Sequence, residues 1–80
     1  MTTQEITIAE QKLVFAELME ARHEVYLAEK RIKALEKNTN MDFWNNRKLL
    51  DRNEARYLRN RSIVKGCCRT LDLPVLRYLP

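Results

Sequence analysis

Between Thr7 and Lys37 apolar side chains return after four and then three residues: Val14, Leu18, Ala21, Val25, Ala28, Ile32 and Leu35. At about 100° per residue this alternation draws one stripe down a helix, with the spacing of a coiled-coil seam. The segment has no glycine or proline and is rich in good helix formers. It predicts one helix over about 7–37, near 45 Å long at about 1.5 Å per residue. The tetrapeptide TIAE supplies its start, because the Thr7 hydroxyl can accept the Glu10 amide while the Glu10 carboxylate reaches back to the Thr7 amide. Glu10, Glu17, Glu20, Glu24 and Glu29 precede Lys30, Arg31, Lys33 and Lys37, the order that complements the helix dipole. Ala21 and Ala28 permit a facing helix to come close. A second apolar line, Ile8, Phe15, Met19 and Tyr26, lies about 100–140° around the cylinder, so this helix asks for two neighbours.

The stripe stops at KNTNMD, where Asn38 suits a left-handed helix end and Thr39, Asn40 or Asp42 can cap a new helix. A turn over about 38–41 predicts that the chain doubles back as a helical hairpin. The second helix is expected over about 42–65, ending at Gly66, the only glycine, where a residue of positive φ is wanted. Phe43, Leu50, Tyr57 and Val64 recur every seven residues, with Asn46, Asn53 and Asn60 at the half-heptad positions between them. This seam is half polar, and its asparagines have three readings: flanking residues, buried polar groups that fix register, or ligand contacts. The segment over about 67–80 is the most apolar of the chain, through Leu71, Leu73, Val75, Leu76, Tyr78 and Leu79. Asp72 before Leu73 and Pro74 resembles a helix start, so a short helix or extended piece packed across the hairpin is expected, with Leu76 and Leu79 over the line of Phe15, Met19 and Tyr26 or inserted into a partner. The fold class is all-α.

Eighty residues fit one small domain, which buries only about 60% of its unfolded surface and has little core to spare. Charge changes the picture more than length does. Residues 1–37 carry six basic and seven acidic groups, whereas 38–80 carry nine basic and four acidic. The excess positive charge therefore belongs to the second half, as expected for an anionic partner. Lys48, Arg52, Arg56 and Arg59 fall within about 80° on the side of the second helix away from its heptad seam, and no acid interrupts them. Arginine outnumbers lysine there, which favours planar recognition of carboxylate or phosphate. No apolar run approaches the roughly 20 residues that span a bilayer. The side-by-side Cys67 and Cys68 suit a reducing compartment, so a cytoplasmic location and no membrane are expected.

Candidate chemistry is thin. Two adjacent cysteines and one distant histidine, His23, fall short of a structural zinc set, and no CxxC is present. Cys67 and Cys68 are expected to pack as small apolar residues beneath the hairpin. His23 belongs to the outer face of the first helix. Glu17, Glu20 and Glu24 have no apolar pocket around them to raise a carboxyl pKa, and are expected to be a solvated face. A glycine-rich phosphate loop, a nucleophile elbow and HExxH are all missing from the sequence. The pattern points away from an enzyme and toward a binding module without cofactor or metal. The leading expectation is a small regulator or inhibitor that docks by helix faces onto a larger protein or protein–nucleic-acid assembly with an acidic surface. Its contacts would be Lys48, Arg52, Arg56 and Arg59, with Trp44, Tyr57 and Tyr78 as aromatic anchors. Direct nucleic-acid binding, with the same bases on phosphates and Trp44 or Tyr57 stacking, is the second reading. A structural homo-oligomer is the third, since two helices alone do not cover every apolar stripe.

Overall fold

The computed structural model describes residues 7–37 and 43–79. Three helices follow one another: α1 (Ile8–Lys37), α2 (Phe43–Leu71) and the single turn α3 (Val75–Tyr78). The first two pack along each other as an all-α hairpin, and no strand occurs among the described residues. The expected turn over 38–41 lies outside the described residues.

α1 begins with the Thr7 half of the expected capping box. The Glu10 amide donates to Thr7 Oγ1 at 3.1 Å, and the Gln11 amide to the Thr7 carbonyl at 2.9 Å. The four-three stripe is the buried side of the helix, with Leu18, Ala21, Val25 and Ala28 fully enclosed. Leu18, Ala21 and Val25 meet Val64, Cys67 and Cys68 of α2, and Leu79 from the tail. Val14, Tyr57, Ile63, Leu71, Leu73, Val75 and Tyr78 complete the cluster from its edges. The apolar core is thus concentrated at the open end of the hairpin, where the start of α1, the end of α2 and the tail converge. Nearer the turn, α2 brings Asn46 and Asn53 to the seam instead.

The end of α2 differs from the sequence expectation. The helix does not stop at about residue 65 but runs through Gly66 to Leu71, so residues 67–71 belong to α2 rather than to a separate apolar segment. Gly66 has no positive φ. A glycine inside a helix costs about 1 kcal/mol relative to alanine, yet continuing the helix places Val64, Cys67, Cys68 and Leu71 at i, i+3, i+4 and i+7 on the core side. Burial at about 0.8 kcal/mol per methylene-sized group outweighs that cost several times over. The left-handed terminating residue is Asp72, at φ 56°. Its amide donates to the Arg69 carbonyl at 3.3 Å and the Leu73 amide to the Cys68 carbonyl at 2.8 Å, the paired bonds of a Schellman ending. Leu73 then folds back onto the core. Asp72 is therefore not the start of the next helix: Pro74 holds that position, without a side-chain cap.

The tail is packed on its own chain. Leu79 is buried with Leu18 and Val64, and the Tyr78 ring lies beneath the Arg22 guanidinium at 5.6 Å. Leu76 does not cover the α1 line, since it is 82% exposed. Phe15, Met19 and Tyr26 stay 44%, 39% and 57% exposed, so the tail leaves much of that line open.

Candidate interaction surface

The asparagine column decides how α2 presents its charges. Asn53 is buried, and its amide donates to the Leu49 carbonyl at 2.8 Å; Asn60 repeats the bond to the Arg56 carbonyl at 2.9 Å. Each side chain satisfies itself on the preceding turn of its own helix, which lets a polar residue sit at a helix interface without an unpaired donor. The Glu24–Arg56 pair sets the antiparallel register and brings Ala21 and Ala28 of α1 to the levels of Asn60 and Asn53. Small residues on one helix make room for amides on the other.

Consequently the buried side of α2 is centred on Asn53, Val64, Cys67, Cys68 and Leu71, so that of the heptad series Leu50 and Tyr57 lie half-buried at its edge. The shift from the heptad line is roughly 40° at about 100° per residue. It moves Arg56 from the outer face to the edge of the interface. Arg56 donates from Nε and Nη2 to Glu24 Oε2, so its guanidinium is engaged within the hairpin and does not point away from the seam. Glu24 is likewise drawn out of the solvated acidic face expected of it.

Lys48, Arg52 and Arg59 remain exposed on the outward side. Among the described residues no carboxylate pairs with any of them, whereas Arg47 is held by Asp51 at 3.4 Å and Lys33 by Glu29 at 3.4 Å. Trp44 is exposed and lies within about 80° of this trio around the helix. Tyr57 lies elsewhere. It packs against the core, Arg61 sits over its ring at 5.4 Å, and Arg61 Nη1 donates to its hydroxyl at 3.3 Å. Tyr78, beneath Arg22 and against the core, is also a packing residue. Of the seven contact residues expected, Lys48, Arg52, Arg59 and Trp44 share one exposed face; Arg56, Tyr57 and Tyr78 are turned into the hairpin. The Arg61–Tyr57 contact follows from i,i+4 spacing and was legible in the sequence, but Arg22 over Tyr78 joins residues with no local signal between them.

Among the described residues, shallow grooves flank the helix pair. One, of about 320 Å³, is lined by Val14, Glu17, Ile63, Gly66, Cys67 and Thr70; another, of about 300 Å³, by Leu27, Lys30, Arg31 and Arg56. The first contains the one thiol near a carboxylate. Burial raises the Cys67 pKa, and the Glu17 charge and Cys68 raise it further; burial raises that of Cys68. Both effects keep the sulfur protonated, the wrong direction for a nucleophile or metal ligand. Among the described residues no three His, Cys, Asp or Glu side chains are grouped to hold a metal, and no helix is long and apolar enough to cross a membrane. His23 is exposed and stacks at 6.4 Å on Tyr26. Compared with protein-family models, with curated proteins and with solved structures, the chain matches none.

Proposed function

We propose that this chain is a small binding module, a regulator or inhibitor that docks onto a larger assembly by setting the outer face of α2 against an acidic protein surface. One observation carries the reading: Lys48, Arg52 and Arg59 are exposed together on one face of α2 without an internal carboxylate, whereas Arg47 and Arg56 of the same helix are held in ion pairs and Arg61 lies over the Tyr57 ring. An unneutralised row of cations has its favourable partner outside the molecule. Trp44 on the same face adds the kind of aromatic anchor that dominates protein interfaces. Direct nucleic-acid binding by the same face, with Lys48, Arg52 and Arg59 on phosphates and Trp44 stacking, is the second reading; Arg56 and Tyr57 are committed within the hairpin and serve neither.

The test is Arg52→Glu combined with Arg59→Glu, read by capture from native extract with and without nuclease. Both sites are exposed, so stability should change by no more than about 0.5 kcal/mol per site. Loss of a nuclease-resistant partner, with only moderate weakening by salt, is the expected result. Tight binding of purified nucleic acid with a log–log salt slope near −0.9 per phosphate contact, abolished by the same reversals, would establish the second reading instead.

A further inference from the structure

α1 carries a second surface that the α2 reading does not use. Ile8, Phe15, Met19 and Tyr26 follow one another at intervals of seven, four and seven, a line about 27 Å long at about 1.5 Å per residue, and all four are exposed. At about 100° per residue the line lies about 160° from Glu24, on the opposite flank of the hairpin from the Arg56 pair. Its borders are predominantly cationic. Lys12, Arg22, Lys30, Lys33 and Lys37, five of the six basic residues of α1, fall within about 40° of it. Glu29 is the one acid of α1 within about 60°, and Lys33 already bridges it at 3.4 Å. Glu10, Glu17, Glu20 and Glu24 occupy the far side. Lys30 stands over the Tyr26 ring at 5.8 Å, so the apolar line and its cationic border form one continuous surface.

We infer that this face of α1 is a docking seam for an acidic amphipathic helix of a partner protein. A second copy of the chain fits poorly. Both borders of its line are rich in lysine and arginine, so in either orientation a copy brings cationic edge to cationic edge, and laid parallel it sets Lys33 and Lys37, which continue the line itself, against their own counterparts. Like charges directly opposed across an interface are destabilising. A bilayer fits poorly as well. An interfacial helix presents a broad apolar arc, on the order of 100° or more, whereas this line is about 40° wide and would drag lysines into the acyl region. A narrow apolar seam with charges at its two edges is the geometry that takes one helix of opposite charge.

The probe is a helical peptide of about three heptads with leucine at positions a and d and glutamate at e and g, fluorescently labelled and titrated with the full chain. Its control has lysine at e and g. The glutamate peptide is expected to bind at least about tenfold more tightly than the lysine peptide, and Lys12→Glu with Lys30→Glu is expected to reverse that order. Tyr26→Asp should weaken binding of the glutamate peptide by a similar factor, with helicity retained by circular dichroism. The α2 reversal, Arg52→Glu with Arg59→Glu, should leave it within about twofold, since additive behaviour holds for distant sites. That arm separates this seam from the α2 face, so either can fail alone. The inference is overturned if neither peptide binds, if both bind equally, or if the α2 reversal removes binding. It is also overturned if Tyr26→Asp abolishes adsorption to phosphatidylserine vesicles while the peptides are ignored, or if sedimentation shows self-association that Tyr26→Asp removes.

Discussion

At the scale of single residues, the same chemical group takes different roles according to a few tens of degrees of helix rotation. Arg56 and Arg59 are three positions apart, yet one is folded against Glu24 and the other faces solvent. The difference is the reach of a guanidinium at the edge of the interface. The cysteines are the clearest residue-scale case for a test. Both thiols are pushed above their ordinary value of 9.0, so the unfolded chain ionises them at a pH where the folded chain still holds the protons. The sign follows directly: this contribution to stability is whole below about pH 9 and is lost as the pH rises past it. Denaturant midpoints across pH 8 to about 10.5 should therefore fall more steeply for the native sequence than for Cys67→Ala with Cys68→Ala. Parallel slopes would place the thiols in an environment like water. The asparagines were also undecided at this scale, and the tertiary structure resolves two of them: Asn53 and Asn60 bond their own helix, leaving neither aimed at a ligand.

At the scale of elements, α1 was legible throughout, from the Thr7 cap to its buried stripe, because cap chemistry and 3.6-residue periodicity are local. The end of α2 was not. A lone glycine followed by two cysteines reads as a stop, but Val64, Cys67, Cys68 and Leu71 already carried the helical spacing that overrides it. Two substitutions check this account. Gly66→Ala should stabilise the protein by about 1 kcal/mol, since an added Cβ meets nothing within 4 Å and the site is helical. Asp72→Gly should stabilise by about 0.5 kcal/mol, since it relieves the left-handed conformation at the true helix end. If Gly66→Ala instead destabilises by a similar amount, the helix does end there.

At the scale of the molecule, the chain is a rod of 54 × 22 × 18 Å with a radius of gyration of 16.1 Å. A compact domain of this length would have a radius near 12 Å. So elongated a body has no deep interior. The tail closes the one dense part of the core, which gives a third check on stability. Leu79→Ala should cost about 2–4 kcal/mol, a large share of the stability of so small a protein, whereas Leu76→Ala should stay within about 0.5 kcal/mol. Equal effects at the two positions would mean that the tail does not pack as described.

The sequence by itself determined the two long helices, the sidedness of α1, the clustering of positive charge in the second half and the apolar character of the tail. All of these rest on spacing and composition within one segment. Only the tertiary structure decided which 40° of α2 faces α1, and with it that Arg56 is an internal partner while Lys48, Arg52 and Arg59 look outward. It also decided that Leu79 is buried while the line from Ile8 to Tyr26 is left open. The physical reason is the same in each case. A helix can rotate about its axis without changing a single local bond, so its orientation is set by the facing surface: here Ala21 and Ala28 accommodate asparagine, and the core takes in Cys67 and Cys68 beside Val64 while Leu50 and Tyr57 stay half-buried.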